Sequence, residues 1–237
     1  MTGGVRTALR GIGQTLVTAG VVVLLFAAYE LYGTGIATAR AQHELLGQLR
    51  HHWAAAAGAG RAAQGVTPTV GASPAPVVPA AKDGQALAVL RIPRLGRDWT
   101  PRVVVEGVTL ADLRSGPGHY PGTALPGQVG NFAVAGHRAT HGNGFFKLNE
   151  LRAGDAVVVE TAGMWFTYRV SSTELVDPSD VAVIAAVPDH PGQRPTQPMV
   201  TLTTCDPWYS ATHRLIVHGL LQSATVKSAG LPAALRS

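Results

Sequence analysis

The chain has 237 residues, a net charge of +5, charged residues at only 14% and a single cysteine. No lysine- or arginine-rich run carries interleaved aromatics, which argues against a nucleic-acid partner, and one cysteine excludes an internal disulfide. The first stretch, about 80 residues, differs in texture from the rest, leaving one folded domain of about 140 residues, enough for a real core.

From Ile12 to Tyr32 the one charged residue is Glu30, and about 20 such apolar residues cross a bilayer's hydrocarbon core. Arg6 and Arg10 precede the run and the next cation is Arg40. Positive-inside counting therefore places residues 1–11 in the cytoplasm, a single-pass membrane anchor at 12–32, and the remainder outside the cell. Glu30 falls near the outer interface, where a carboxylate reaches headgroup water. A cleaved signal peptide is the alternative, with Ala37-Thr38-Ala39 as its small-residue site, but the apolar stretch is longer than a typical h-region. Within 41–53, Leu45, Leu46 and Leu49 have helical spacing. Residues 54–83 are Ala/Gly/Pro-rich, with Pro68, Pro74, Pro76 and Pro79, a composition that predicts a flexible spacer. Residues 33–85 are thus expected to form an extracellular helix and a spacer that holds the domain away from the membrane.

From Ala86 the chain turns to short β-rich runs. Strands are predicted at 87–92, 102–106, 131–135, 199–204 and 215–221, with a helical turn at 109–114. Residues 156–161 and 165–173 read as a hairpin turning at Ala162-Gly163-Met164, and 181–186 as a short strand or turn. Seven or eight short strands with one or two helical turns predict a mainly β domain over 86–222, a closed or nearly closed barrel, followed by a tail at 223–237.

The chemistry concentrates at strand ends. Val200, Leu202 and Thr204 alternate with Thr201 and Thr203, and Asp206-Pro207 stops the run, so Cys205 sits where a strand finishes. Arg214 opens the next apolar run and brings a guanidinium back towards the thiol. His137 emerges after Phe132-Ala133-Val134-Ala135 and Gly136. For an arbitrary chain a lone cysteine is usually a small buried hydrophobe, and a loop histidine is usually solvated; His51, His52, His190 and His213 are assigned to that reading. His119 and His141 flank the His137 region as candidate groove residues, while His218 reads as a hydrogen-bonded structural residue. Asp206 places a carboxylate beside the thiol, a neighbour that disfavours thiolate.

These segments carry a resemblance. Thr201-Leu202-Thr203-Thr204-Cys205 matches the TLxTC signature of sortases, the Cys-dependent transpeptidases of Gram-positive cell surfaces. Arg214-Leu215-Ile216-Val217 matches their arginine-bearing strand, and Ala135-Gly136-His137-Arg138 resembles their histidine segment. The run from His119 to Gly127, HYPGTALPG, looks most like the actinobacterial class E members. The resemblance implies a sortase-type β-barrel with His137, Cys205 and Arg214 as catalytic residues and Tyr120, Thr204 and His119 as substrate-binding candidates. It implies cleavage of an LAxTG- or LPxTG-like signal after threonine, and transfer of the surface protein to an amine of peptidoglycan or its lipid-linked precursor. No cofactor is expected, and no metal: there is one cysteine, no HExxH and no carboxylate-rich loop.

The residue types support that chemistry independently. A thiolate attacks a carbonyl and expels an amine, an imidazolium protonates the leaving group, and an arginine fork suits carbonyls and an oxyanion. With ordinary pKa values, roughly 3% thiolate times roughly 25% imidazolium leaves below about 1% of the enzyme in the active pairing at pH 7. An L,D-transpeptidase would carry Ser-His-Gly before its cysteine, which is absent here. A non-catalytic membrane-tethered β-domain explains the anchor but not the joint placement of the three residues.

Overall fold

A computed structural model describes residues 2–29, 34–63, 81–96 and 99–236. Eight strands follow two long N-terminal helices, α1 (Thr2–Ala28) and α2 (Thr34–Ala63): β1 (Ala86–Arg91), β2 (Arg102–Glu106), β3 (Gly118–His119), β4 (Gly130–Ala135), β5 (Ala156–Glu160), β6 (Met164–Val176), β7 (Pro198–Asp206) and β8 (His213–Val226). They close a barrel in the order β1-β2-β3-β4-β7-β8-β6-β5. A short helix, α3 (Leu110–Ser115), follows β2. It begins with a capping box in which Thr109 and Asp112 satisfy each other's backbone N–H groups. The closed eight-stranded barrel is the architecture the strand spacing implied.

Alternation along each strand separates an inner from an outer face. Ala88, Leu90, Val104, Val157 and Val159 point into the main core with Phe132, Phe145, Leu202 and Tyr168. The opposite positions are buried as well, for two reasons. Val89 and Val103 lie beneath α2, packed with Leu45, Leu46, Leu49 and Trp53. Ala156, Val158 and Trp165 lie beneath Ala234 and Leu235. This explains the uninterrupted valine triplets at 103–105 and 157–159: a strand covered on both faces has no polar side.

Helix α2 is therefore part of the domain. Its leucines have the spacing read from the sequence, but the helix continues to Ala63, so residues 54–63 belong to it and not to the spacer. The rest of the proposed spacer up to residue 80 lies outside the described residues. Leu49 is 3% exposed, and burial on this scale stabilises by about 1.5–3 kcal/mol per leucine. The Gln42 amide imitates a strand neighbour, accepting from Val103 N–H at 2.7 Å and donating to the carbonyls of Val103 and Ser115 at 3.0 and 2.7 Å. The expected tail is also structured. Strand β8 runs on to Val226, and 3-10 turns at Lys227–Ala229 and Ala233–Leu235 return the chain against the barrel. Residues 182–184 form a 3-10 turn. Helix α1 contains a window, Arg6–Ala27, long and apolar enough to cross a membrane by length and composition. The expected end of that span, including Glu30 and Tyr32, lies outside the described residues.

Candidate active site

Strand direction assembles the site. β4 and β7 are parallel neighbours, with Ala135 opposite Thr203, so both chains leave the barrel at the same rim. His137 follows the end of β4 and Cys205 is the penultimate residue of β7. β8 is antiparallel to β7 and starts at that rim, which puts Arg214 directly opposite Cys205. One rim therefore carries all three chemically distinctive residues.

The turn after β4 is held by its neighbour strand. Gly136 N–H donates to Thr203 O at 3.0 Å, and Thr204 Oγ1 donates to Gly136 O at 2.8 Å. A side chain at residue 136 would not fit, because a Cβ there would lie 2.5 Å from the Phe145 ring. Thr204, offered by sequence as a substrate contact, is buried, and its hydroxyl secures the turn that carries His137. His119 has a similar placement. It is 2% exposed, stacked on Phe132, with Nδ1 2.8 Å from Glu106 and Nε2 within 2.9 Å of Thr123 Oγ1. Its ring is built into the barrel wall, where Glu106, Thr123 and the Ala124 carbonyl occupy its nitrogens. Tyr120 is half-buried, and its hydroxyl lies 3.0 Å from Thr203 Oγ1, two residues before Cys205.

His137 stacks on His141 with ring centroids 4.8 Å apart. Burial, then the neighbouring His141 and Arg114, push the His137 imidazole below its ordinary value. A narrow cavity lies behind it, lined in part by Thr38, Gln42, Arg102, His137 and His141. His137 Nε2, His141 Nδ1 and Arg102 Nε are buried without a hydrogen-bond partner among the described residues.

Two arginines neighbour Cys205, Arg214 across the strand pair and Arg138 from the turn after β4. Arg214 donates through Nη1 to the carbonyls of Ala211 and His213, each at 3.0 Å. Arg138 is 8% exposed, forms an ion pair with Asp206, and donates to Cys205 O at 3.3 Å and to Phe146 O at 3.4 Å. The Asp206 charge that disfavours a neighbouring thiolate is thus balanced by a buried cation. Sequence reasoning quoted Arg138 only as a motif neighbour of His137, since its partner lies on another strand. The helix residues Thr38 and Gln42 gave no local signal at all.

His218 has the structural role expected, with Nδ1 2.9 Å from Thr201 Oγ1 and Nε2 3.0 Å from Glu174. Glu174, Asp189 and His218 offer ligand atoms within 4.8 Å of one another. His218 Nε2 pairs with Glu174 at 3.0 Å, and Asp189 lies 4.0 Å from the same nitrogen.

Comparison with known proteins agrees with this geometry. The sortase domain family model matches residues 90–222. The chain is 33% identical to sortase SrtE1 of Streptomyces coelicolor over 99% of its own length, and spans 63% of that relative. It is 30% identical to sortase SrtE2 of the same organism, covering 89% of this chain and 80% of the relative. Among solved structures, sortase E from Streptomyces avermitilis superposes with a TM-score of 0.60 at 44% identity, covering 66% of this chain and all of that one. The SrtA sortase from Actinomyces oris gives 0.65 at 36% identity, covering 69% and 94%. A barrel with this strand order, a Cys–His–Arg rim and a family match over more than half its length places the chain in the sortase family.

Proposed function

We propose that the protein is a membrane-anchored cysteine transpeptidase that acts on surface proteins bearing an LAxTG- or LPxTG-like signal. The observation that carries this reading is the convergence of His137, Cys205 and Arg214 on the rim formed by β4, β7 and β8. The Cys205 thiolate attacks the carbonyl carbon of the signal's threonine. Arg214 stabilises the oxyanion, and the C–N bond breaks as His137 protonates the departing amine. A thioester remains on Cys205. A cell-wall amine then attacks it, gives a proton to His137 and releases the thiolate, so the cycle needs no cofactor. Tyr120 borders the groove, while Thr204 and His119 brace the turn and the wall around it. Helix α1 supplies the anchor, with the barrel outside the cell.

The test is incubation with LAxTG and LPxTG peptides, with and without a nucleophilic amine, followed by mass spectrometry. Cleavage after threonine, amine-dependent transfer and a thioester adduct on Cys205 are expected. All three should vanish in Cys205→Ala, with stability changed by less than about 1 kcal/mol because the side chain is half-buried at a strand end. Retained cleavage in the alanine variant would remove Cys205 from the chemistry.

A further inference from the structure

We infer that the catalytic rim rests against the membrane surface, docked through an aromatic patch formed by Phe146, Trp208 and Tyr209. The inference builds on the anchor reading of α1. Helix α1 ends at Ala28 and α2 begins at Thr34. Whatever the path of the intervening residues, a chain of that length reaches about 20 Å at most. One helical turn further on, about 6 Å, Thr38 packs against the active-site loop. Its hydroxyl donates to Arg114 O at 2.9 Å, its methyl group abuts Gly142, and it shares a cavity with His137 and His141. The docked helix thus keeps the His137 side of the barrel within a short reach of the bilayer, instead of holding it away on a spacer.

The same loop leads from His141 to Phe146, whose carbonyl is held by Arg138. Phe146 is 43% exposed, Trp208 55% and Tyr209 73%. Their rings touch edge-on, Phe146 to Trp208 at 6.3 Å and Trp208 to Tyr209 at 5.5 Å. These three clustered, exposed aromatics come from the loop after β4 and the loop that follows Cys205, and tryptophan and tyrosine favour the headgroup region of a bilayer. Charge agrees: on α2 the exposed Arg40 and Arg50 stand against one carboxylate, Glu44, which favours anionic headgroups. Ile36, exposed near the start of α2, adds an apolar contact on the membrane side.

The test uses the full chain in vesicles of anionic phospholipid whose acyl chains are brominated near the headgroup, compared with unbrominated vesicles. Bromine quenches tryptophan at short range. One tryptophan of four should be quenched through Trp208, so about a quarter of the emission should respond in wild type and be insensitive in Trp208→Phe. Transferring the fluorophore with Trp208→Phe/Tyr209→Trp should restore the response, which separates lipid contact from an altered fold. Equal quenching in wild type and Trp208→Phe would overturn the inference. So would Trp208 emission that ignores brominated lipid and responds to an added LAxTG peptide, since the patch would then line the substrate groove. Release of the chain from vesicles by alkaline carbonate would remove the anchor reading and this inference with it, leaving the peptide chemistry untouched.

Discussion

Arg138 forms an ion pair with Asp206, the residue immediately after Cys205, and also donates to the Cys205 carbonyl. The carboxylate of the residue after Cys205 is therefore neutralised from the turn after β4 that carries His137. Arg138→Met should leave that charge uncompensated and lower kcat/KM about tenfold, equivalent to about 1.4 kcal/mol. It should also cost about 2 kcal/mol of stability, less than for a fully buried pair because Asp206 keeps some solvent contact. The double variant Arg138→Met/Asp206→Asn should recover much of the activity. Kinetics and thermal unfolding of the three variants decide it: a double variant no more active than the single one would limit Arg138 to holding the backbone.

A second outcome concerns pH. His137 is held below its ordinary value by burial first, then by His141 and Arg114. His141→Phe keeps an aromatic ring stacked on His137 but removes the repulsion from His141, so the His137 value should rise. The proposed active form is thiolate with imidazolium, and with ordinary values the thiol titrates above the imidazole. The imidazolium is lost as pH rises through the His137 value. Raising that value should therefore move the midpoint of the acid limb of kcat/KM to higher pH and lift the plateau above it. A pH–rate profile identical to wild type would show that His141 does not act on His137 through charge.

Arg214 donates to the Ala211 and His213 carbonyls through one nitrogen while its backbone pairs with Cys205. A lysine has no planar fork with which to span the loop and present a donor to an oxyanion. Arg214→Lys should lose about 3–4 kcal/mol of transition-state stabilisation, the scale set by removal of an oxyanion donor. Steady-state kinetics on a fold-checked variant provides the measurement, and near-wild-type turnover would reduce Arg214 to a general positive charge.

The Tyr120 hydroxyl lies 3.0 Å from Thr203 Oγ1, and in the proposed function it accepts from a substrate amide. Proline at the second position of the signal has no N–H, whereas alanine does. Tyr120→Phe should cost about 0.5–1.5 kcal/mol on LAxTG peptides and much less on LPxTG peptides. Thr203→Val, which removes the hydroxyl's partner, should shift the preference in the same direction. Equal losses on both peptides would make Tyr120 a packing residue.

Local pattern was enough to locate Cys205 at the end of a strand, Arg214 at the start of the next and His137 just past another. Period-2 alternation, the Asp206-Pro207 stop and Gly136 are all readable within a few residues, because backbone geometry and turn chemistry are local. The closed barrel followed from the number and spacing of such strands. What tertiary structure decided was adjacency. β4 and β7 are parallel neighbours separated by the β5–β6 hairpin, and a parallel pairing leaves no short-range signature. That pairing brings Arg138 to Asp206 and the Thr204 hydroxyl to Gly136, while His119 meets Glu106 across the β2–β3 pairing. Docking of α2 was equally hidden. Leu45, Leu46 and Leu49 announced an apolar stripe, but only the fold supplies its complement in Val89 and Val103. Which surface covers an apolar stripe depends on contacts between segments far apart in the chain, and no spacing within one segment encodes it.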